Sequence, residues 1–557
     1  MVDQIYFPTF SLSPHASIQP EASVIEYLYL SFLPSEALNL TKIYQQIKSA
    51  PQIKYTNMTL SQVFATLAVI LVRCDREHCQ IHIDDYTQSV VYYRNGEVIR
   101  NTILPKASLP KGYIAGGDFD VDCRDIGTAA TPEIASCEDA AFWDLHAASG
   151  ELKERRLILG CDPNRHSWNT VMGPMHDPNP RATLWLYTEP MENSASAGVA
   201  SSPTTAKDKA AGIIEKIKGT VNTEETPKES RQPDLRKLEL KNYPEGHDFH
   251  PLGIEIWPSY GGNGSYLYAV NHARARTVIE QFLLNPADLN TATYIRTISH
   301  PWFISPNALA LTSPDSFYVS NDHLFTRRLP ILGKFLPFSE TILALPFSFV
   351  AHVTLNSPSS PPSSPTIKEH TIEAPFIPFS NGVSLSPGGG ELAIASTTTN
   401  RVLFYLRDKT TNKLTFKDAV PIPFCPDNVR YYAPESHNDD TSELIVSGHP
   451  HFPSVLKVVA KKPGAVGQSW VMSITKTSEE RAGLVYDTQA PFSANEKVPL
   501  GAIPKGYTVE TLFQSNGTGF STSATGLKDS FTGNVYISGL YAPQGAIVCG
   551  PSGRMST

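Results

Sequence analysis

Leu252-Gly-Ile-Glu-Ile-Trp257, Tyr266-Leu-Tyr-Ala-Val270 and Thr277-Val-Ile-Glu-Gln-Phe282 are short apolar runs set close together, the first gap filled by Pro, Ser, Gly and Asn. Runs of this length, rich in β-branched and aromatic residues and bounded by turn formers, are predicted to be strands. The rhythm extends on both sides. Leu157-Ile-Leu159 and Ala182-Thr-Leu-Trp-Leu-Tyr187 precede, and Ser316-Phe-Tyr-Val319, Phe347-Ser-Phe-Val-Ala-His-Val353, Glu391-Leu-Ala-Ile-Ala395, Arg401-Val-Leu-Phe-Tyr-Leu406, Glu443-Leu-Ile-Val-Ser447 and Asn534-Val-Tyr-Ile-Ser538 follow. Strands at such spacing predict an all-β fold, a sandwich or a propeller, and about four strands in each ~50–60 residues over roughly 410 residues from Glu138 onward favour a β-propeller of around six blades.

Composition agrees. Of 557 residues, 41% are hydrophobic and 18% charged, enough apolar matter for a sizeable core. The 35 Gly and 45 Pro favour strands and turns over long helices. A net charge of −8 with no dense basic block argues against a nucleic-acid partner. The seven cysteines (74, 79, 123, 137, 161, 425 and 549) are too scattered for a zinc ribbon, and their odd number leaves at least one outside any set of bridges.

The ends and insertions are less regular. Residues 1–57 form an extension without periodicity. Residues 58–122 hold an apolar run, 63–72, and then a weakly patterned linker with one strand pair around Ser89–Val98. That run is too short to cross a bilayer as a straight helix; it is either a signal-type segment or anchor giving membrane association, or a buried element. Within the propeller, 123–550, the Ser-, Thr-, Lys- and Glu-rich stretch 194–233 is expected to be a mobile loop with a transient helix at Ala210–Ile217, and the Ser/Pro stretch 356–366 a second mobile insertion.

Oxygen-bearing residues stand in short gaps between these runs. Asp427-Asn428, in Phe424-Cys-Pro-Asp-Asn-Val-Arg430, places a carboxylate beside an amide, a pair that a turn uses and that a hard cation also collects. No Gly-X-Ser-X-Gly elbow is present, since Gly262-Asn-Gly-Ser265-Tyr lacks the closing glycine, and Gly388-Gly-Gly390 is a hairpin turn rather than a phosphate loop.

Six stretches in order resemble the serum paraoxonase/arylesterase family: Cys137-Glu138-Asp139; Tyr268-Ala-Val-Asn-His272; Asn307 through Phe317-Tyr-Val-Ser-Asn-Asp-His323; Ser380-Asn381-Gly382-Val-Ser-Leu-Ser-Pro387; Asp427-Asn428-Val with Gly448-His449-Pro450; and Ser515-Asn516-Gly-Thr518. The resemblance covers about 120–550. It implies a six-bladed propeller with calcium in its central tunnel, held by Glu138, Asn307, Asn381, Asp427 and Asn428. It implies hydrolysis of aryl esters or lactones, with His272, Asp427 and His449 as the groups able to handle the water's proton. It also implies a disulfide between Cys123 and Cys549 and, with the sequon at Asn516, a secreted or lumenal protein. Three further sequons lie at Asn39, Asn57 and Asn263.

Two departures from the family pattern stand out. Leu252, in Pro251-Leu-Gly-Ile254, occupies the place of the family's usual catalytic His; His250, two residues earlier, could point the same way on an extended strand. Ala308 replaces the Asp that would help to hold a second, structural calcium, leaving Asp139 and the Ile254 carbonyl and implying a weak or empty second site. The alternative to an enzyme is a non-catalytic propeller that binds a ligand or partner at its calcium face.

Overall fold

The computed structural model describes residues 81–84, 89–94, 97–102, 122–178, 181–189, 233–361, 363–432, 442–476 and 506–550. The extension 1–57, the apolar run 63–72, Cys74, Cys79, nearly all of 194–233 and its expected helix lie outside the described residues. The strand pair anticipated near residue 89 is present as Ser89–Arg94 against Glu97–Thr102, with Ile81–Asp84 added as a third strand.

The remaining strands form six sheets, each with four antiparallel strands at its heart. Blade 1 begins at Cys137–His146, blade 2 at Pro251–Ile256, blade 3 at Pro306–Ser313, blade 4 at Ser380–Leu385, blade 5 at Cys425–Tyr432 and blade 6 at Ser523–Lys528. These are the innermost strands, each packed against its neighbours around one axis. The anticipated six-bladed β-propeller is therefore what the chain adopts. Blade 6 takes three strands from the C-terminal end and its outermost strand, Asp122–Asp125, from the start of the propeller. Cys123 and Cys549 are direct partners in that last ladder and are joined by a disulfide. A second bridge, Cys137–Cys161, which the sequence reading did not foresee, ties the first two strands of blade 1. Cys425 is a buried thiol outside both bridges.

The apolar runs are continuous rather than alternating because both faces of a blade are covered. There is one core cluster for each junction between adjacent blades. Trp143, Ile158 and Leu184 of blade 1 meet Phe249, Leu267 and Phe282 of blade 2, and Tyr268, Ile279 and Val270, on the other face of blade 2, meet Leu309, Phe317 and Val319 of blade 3. The same alternation repeats between blades 3 and 4, 4 and 5, 5 and 6, and 6 and 1. The Ser/Pro connector joins two strands of blade 3 through a compact loop, with Ser360 N–H donating to the Ser357 carbonyl and the Asn356 amide to that of Pro365.

Among the described residues two short α-helices sit between strands, α1 at Leu336–Ile342 and α2 at Phe452–Val459. No described helix is long and apolar enough to cross a membrane.

Candidate functional site

Each innermost strand carries a break in register near its start: Cys137/Asp139, Pro251/Ile254, Pro306/Leu309, Ser380/Val383, Pro426/Val429 and Ser523/Thr525. A bulge re-aims side chains that a regular pleat would hold in the sheet. The residues inside these breaks include Glu138, Leu252, Asn307, Asn381, Asp427 and Asn428, the five resemblance-derived ligands together with the departure at 252. Gly253 and Gly382 permit the close approach this requires. A Cβ on Gly253 would lie 2.2 Å from the Asn307 carbonyl oxygen, and one on Gly382 2.5 Å from the Asn428 Cα.

The result is a cavity at one end of the axis. Glu138, Asn307, Asn381 and Asp427 line it, with His272 and His449 beside them. All are buried. Asn428 Nδ2 donates to Glu138 Oε1 at 2.9 Å, and Asn381 Nδ2 donates to Asp427 Oδ1 at 2.7 Å. Asn307 Nδ2 donates to Asp322 Oδ2 at 3.2 Å. Once these amides have spent their donors, Glu138 Oε2 and the Oδ1 atoms of Asn307, Asn381 and Asn428 remain buried without a partner. Orphaned buried acceptors are rare and costly. Four of them among the very residues on the bulges fit a hard cation, which takes six to eight oxygens with few carboxylates. No cluster of three or more His, Cys, Asp or Glu groups suited to a metal occurs among the described residues; a cation here would take most of its oxygens from amides. Burial, aggravated by Asp139 and Asp427 and only partly offset by Arg165 and the Asn428 amide, pushes the Glu138 carboxyl well above its usual range.

The second cation position does not fit. Asp139 Oδ2 accepts the Ile254 N–H at 2.8 Å and Arg430 Nη2 at 2.5 Å, and the same guanidinium nitrogen donates to the Ile254 carbonyl at 2.9 Å. Both residues carried over for that site are already in the hands of Arg430.

The histidines differ sharply. His272 Nε2 lies 2.8 Å from the Pro306 carbonyl and Nδ1 2.6 Å from Thr170 Oγ1. A carbonyl only accepts, so Nε2 carries the proton and Nδ1 accepts from the hydroxyl; both nitrogens are committed. Burial lowers its pKa to about 4. His449 Nε2 lies 3.0 Å from Asp427 Oδ2, so it donates, and Nδ1 is left as a buried lone pair with no partner. His250, near Leu252, is held by Asp162 Oδ2 at 2.8 Å and the Pro178 carbonyl at 2.7 Å.

His272 yields a pH prediction. Its folded pKa is depressed, so the ring stays neutral in the folded protein while the unfolded chain takes up a proton below about 6.5. Its contribution is therefore present above pH 6.5 and lost as pH falls towards 4, on the order of 3 kcal/mol in all. Urea unfolding of wild type and His272→Gln between pH 7 and 4 should show a shallower acid loss in the variant; equal slopes would contradict this.

One side of the lining is apolar. Phe452, Val455, Leu456 and Val459 of α2, at i, i+3, i+4 and i+7, face the cavity as one stripe, joined by Trp168 and Leu252. The sequence reading missed this stripe, although its spacing is visible in Phe452–Val459. Arg165 also lines the cavity, anchored by Nη2 to the Pro251 carbonyl at 2.7 Å.

The fold and this cavity define a six-bladed propeller with a polar, oxygen-lined axial pocket. The arylesterase family model matches residues 215–490, a stretch that takes in the innermost strands of blades 2 to 5 and leaves Glu138 outside. The chain is 27% identical over 239 residues to serum paraoxonase/arylesterase 1 of Homo sapiens, covering 43% of this chain and 59% of that protein. It is 32% identical over 120 residues to human serum paraoxonase/lactonase 3, covering 22% and 32%. To the Oryctolagus cuniculus serum paraoxonase/lactonase 3 it is 24% identical over 288 residues, covering 51% and 69%. The chain is thus similar to the serum paraoxonase/arylesterase family, as its ordered motifs indicate, and its matched stretches span under two thirds of the two human relatives.

Proposed function

We propose that the protein is a calcium-dependent hydrolase of carboxylic esters, aryl esters or lactones, acting in the axial cavity. One observation carries the reading: the unpartnered oxygens of Glu138, Asn307, Asn381 and Asn428 surround a carboxylate, Asp427, that also holds a histidine with a vacant nitrogen. Calcium held by these five residues would polarise the substrate carbonyl and stabilise the negative charge that grows on its oxygen.

The chain's own groups do the rest. Asp427 fixes the tautomer of His449, so that Nδ1 keeps its lone pair and is the base that takes a proton from water. The imidazolium so formed is stabilised by the Asp427 carboxylate and can return the proton to the departing alkoxide or phenolate. His272, with both nitrogens engaged, holds the Thr170 and Pro306 segments in place. The α2 stripe excludes bulk water and offers an apolar surface to an acyl or aryl group. Two disulfides, with a sequon at Asn516, favour an oxidising, secretory location.

The test is hydrolysis of phenyl acetate and of a simple lactone in calcium and in EGTA, by wild type, His449→Gln and Leu252→His. A positioned base contributes about 10²–10⁴-fold, so His449→Gln should lose that order in kcat. Leu252→His adds a further imidazole to the cavity lining and should raise the rate severalfold. If wild type binds calcium but hydrolyses neither substrate, and Leu252→His is no better, the protein is a binding propeller whose cavity serves a ligand.

A further inference from the structure

We infer that Arg430 is a built-in cation standing where a second calcium would bind, so that the protein carries at most one exchangeable calcium and does not depend on calcium for its fold. The inference goes beyond the hydrolase reading and does not require it.

Arg430 lies two residues beyond Asn428 on the innermost strand of blade 5, and its guanidinium reaches across the axis to blades 1 and 2. Nη2 donates to Asp139 Oδ2 at 2.5 Å and to the Ile254 carbonyl at 2.9 Å, while Nη1 donates to Glu255 Oε2 at 2.6 Å. Asp139 is fully buried and its remaining capacity is taken: Oδ1 accepts from Ala140 N–H and from Thr525 Oγ1, both at 2.8 Å, and Oδ2 also accepts from Ile254 N–H. A calcium ion bonding to these oxygens at about 2.3–2.6 Å would have to expel the guanidinium. Ala308, whose Cα lies 2.6 Å from where a Gly253 Cβ would be, brings no oxygen to offset the loss.

The chemistry of the exchange is coherent. A guanidinium presents several N–H groups in one plane and remains charged, so it can satisfy a carboxylate, a carbonyl and a second carboxylate together. One arginine therefore links blades 5, 1 and 2, and Thr525 extends the same network to blade 6. Because this cation is covalently part of the chain, no chelator can remove it. The calcium level formed by Glu138 and Asn428 can then be emptied and refilled above an intact axis.

The experiment compares wild type with Ala308→Asp/Arg430→Ser, measuring bound calcium by elemental analysis after gel filtration and Tm with and without EGTA. Wild type should hold no more than one calcium per chain, and its Tm should change little in EGTA. The double variant should hold one more than wild type and gain a Tm that rises with calcium. Arg430→Met, which restores no ligand, should lower Tm by roughly 5–10 °C at any calcium level, because Asp139 loses its buried counter-charge. A wild type with two calcium ions per chain, or one that unfolds in EGTA, overturns the inference. So does a folded double variant with no added calcium. Should that variant not fold, the wild-type stoichiometry and EGTA melting decide alone. A wild type with no calcium counts against the hydrolase reading only, since the extra ion in the double variant would still appear.

Discussion

Replacing Asp427 with alanine is expected to reduce kcat/KM for phenyl acetate by about 10³-fold or more and to weaken calcium binding by at least about 10–100-fold. The expectation follows from the three demands on this carboxylate. Oδ1 receives the Asn381 amide, Oδ2 fixes the His449 ring, and the charge would offset a proposed cation among neutral amides. Without it, His449 can turn, Asn381 loses its anchor, and the acceptor set keeps only the Glu138 carboxyl. The fold should survive, because Asp427 faces the cavity rather than an interblade core. Asp427→Asn is the informative companion: it keeps the size and loses the charge. Calorimetric calcium titration beside steady-state kinetics would check both effects, and a loss below tenfold in each would contradict the role given to Asp427.

Removing the Cys123–Cys549 bridge should be the largest single loss of stability. The bridge closes a loop of 426 residues, for which the chain-entropy treatment gives about 6 kcal/mol, against about 3.4 kcal/mol for Cys137–Cys161 with its separation of 24. Its position magnifies the effect. The strand Asp122–Asp125 is four residues long and pairs the beginning of the propeller with its end in one sheet. Cys123→Ser/Cys549→Ser should therefore unfold at markedly lower urea than Cys137→Ser/Cys161→Ser. The reverse order would show that ring closure rests on the core between blades 6 and 1 rather than on the bridge.

The fold was largely legible in the sequence, because a blade buried on both faces writes continuous apolar runs such as Tyr266-Leu-Tyr-Ala-Val270 at regular intervals. The bulges were not. Nothing local distinguishes Asn381 from an ordinary turn asparagine; only its order within a family pattern, and then the register break at Ser380/Val383, sets it apart. His272 directly follows a strand and His449 ends one, yet one is bound to Thr170 and a carbonyl while the other keeps a nitrogen without a partner. That difference lies in contacts between distant parts of the chain. Arg430 was hidden for the same reason: it follows Asn428 closely in sequence, but its partners Asp139, Ile254 and Glu255 belong to other blades. The Cys137–Cys161 bridge likewise depends on the antiparallel pairing of two strands, which spacing alone does not reveal.

The central claim is that the oxygen-lined axial cavity hydrolyses esters or lactones with calcium in place. The most direct measurement is the initial rate of phenyl acetate and lactone hydrolysis by the purified, disulfide-intact protein, stripped with EGTA and then titrated with calcium, while circular dichroism follows the fold. The account predicts a folded but inactive stripped protein whose rate returns in step with calcium binding, saturating at one ion per chain. A rate indifferent to calcium, or calcium binding that brings no hydrolysis of either substrate, would contradict it.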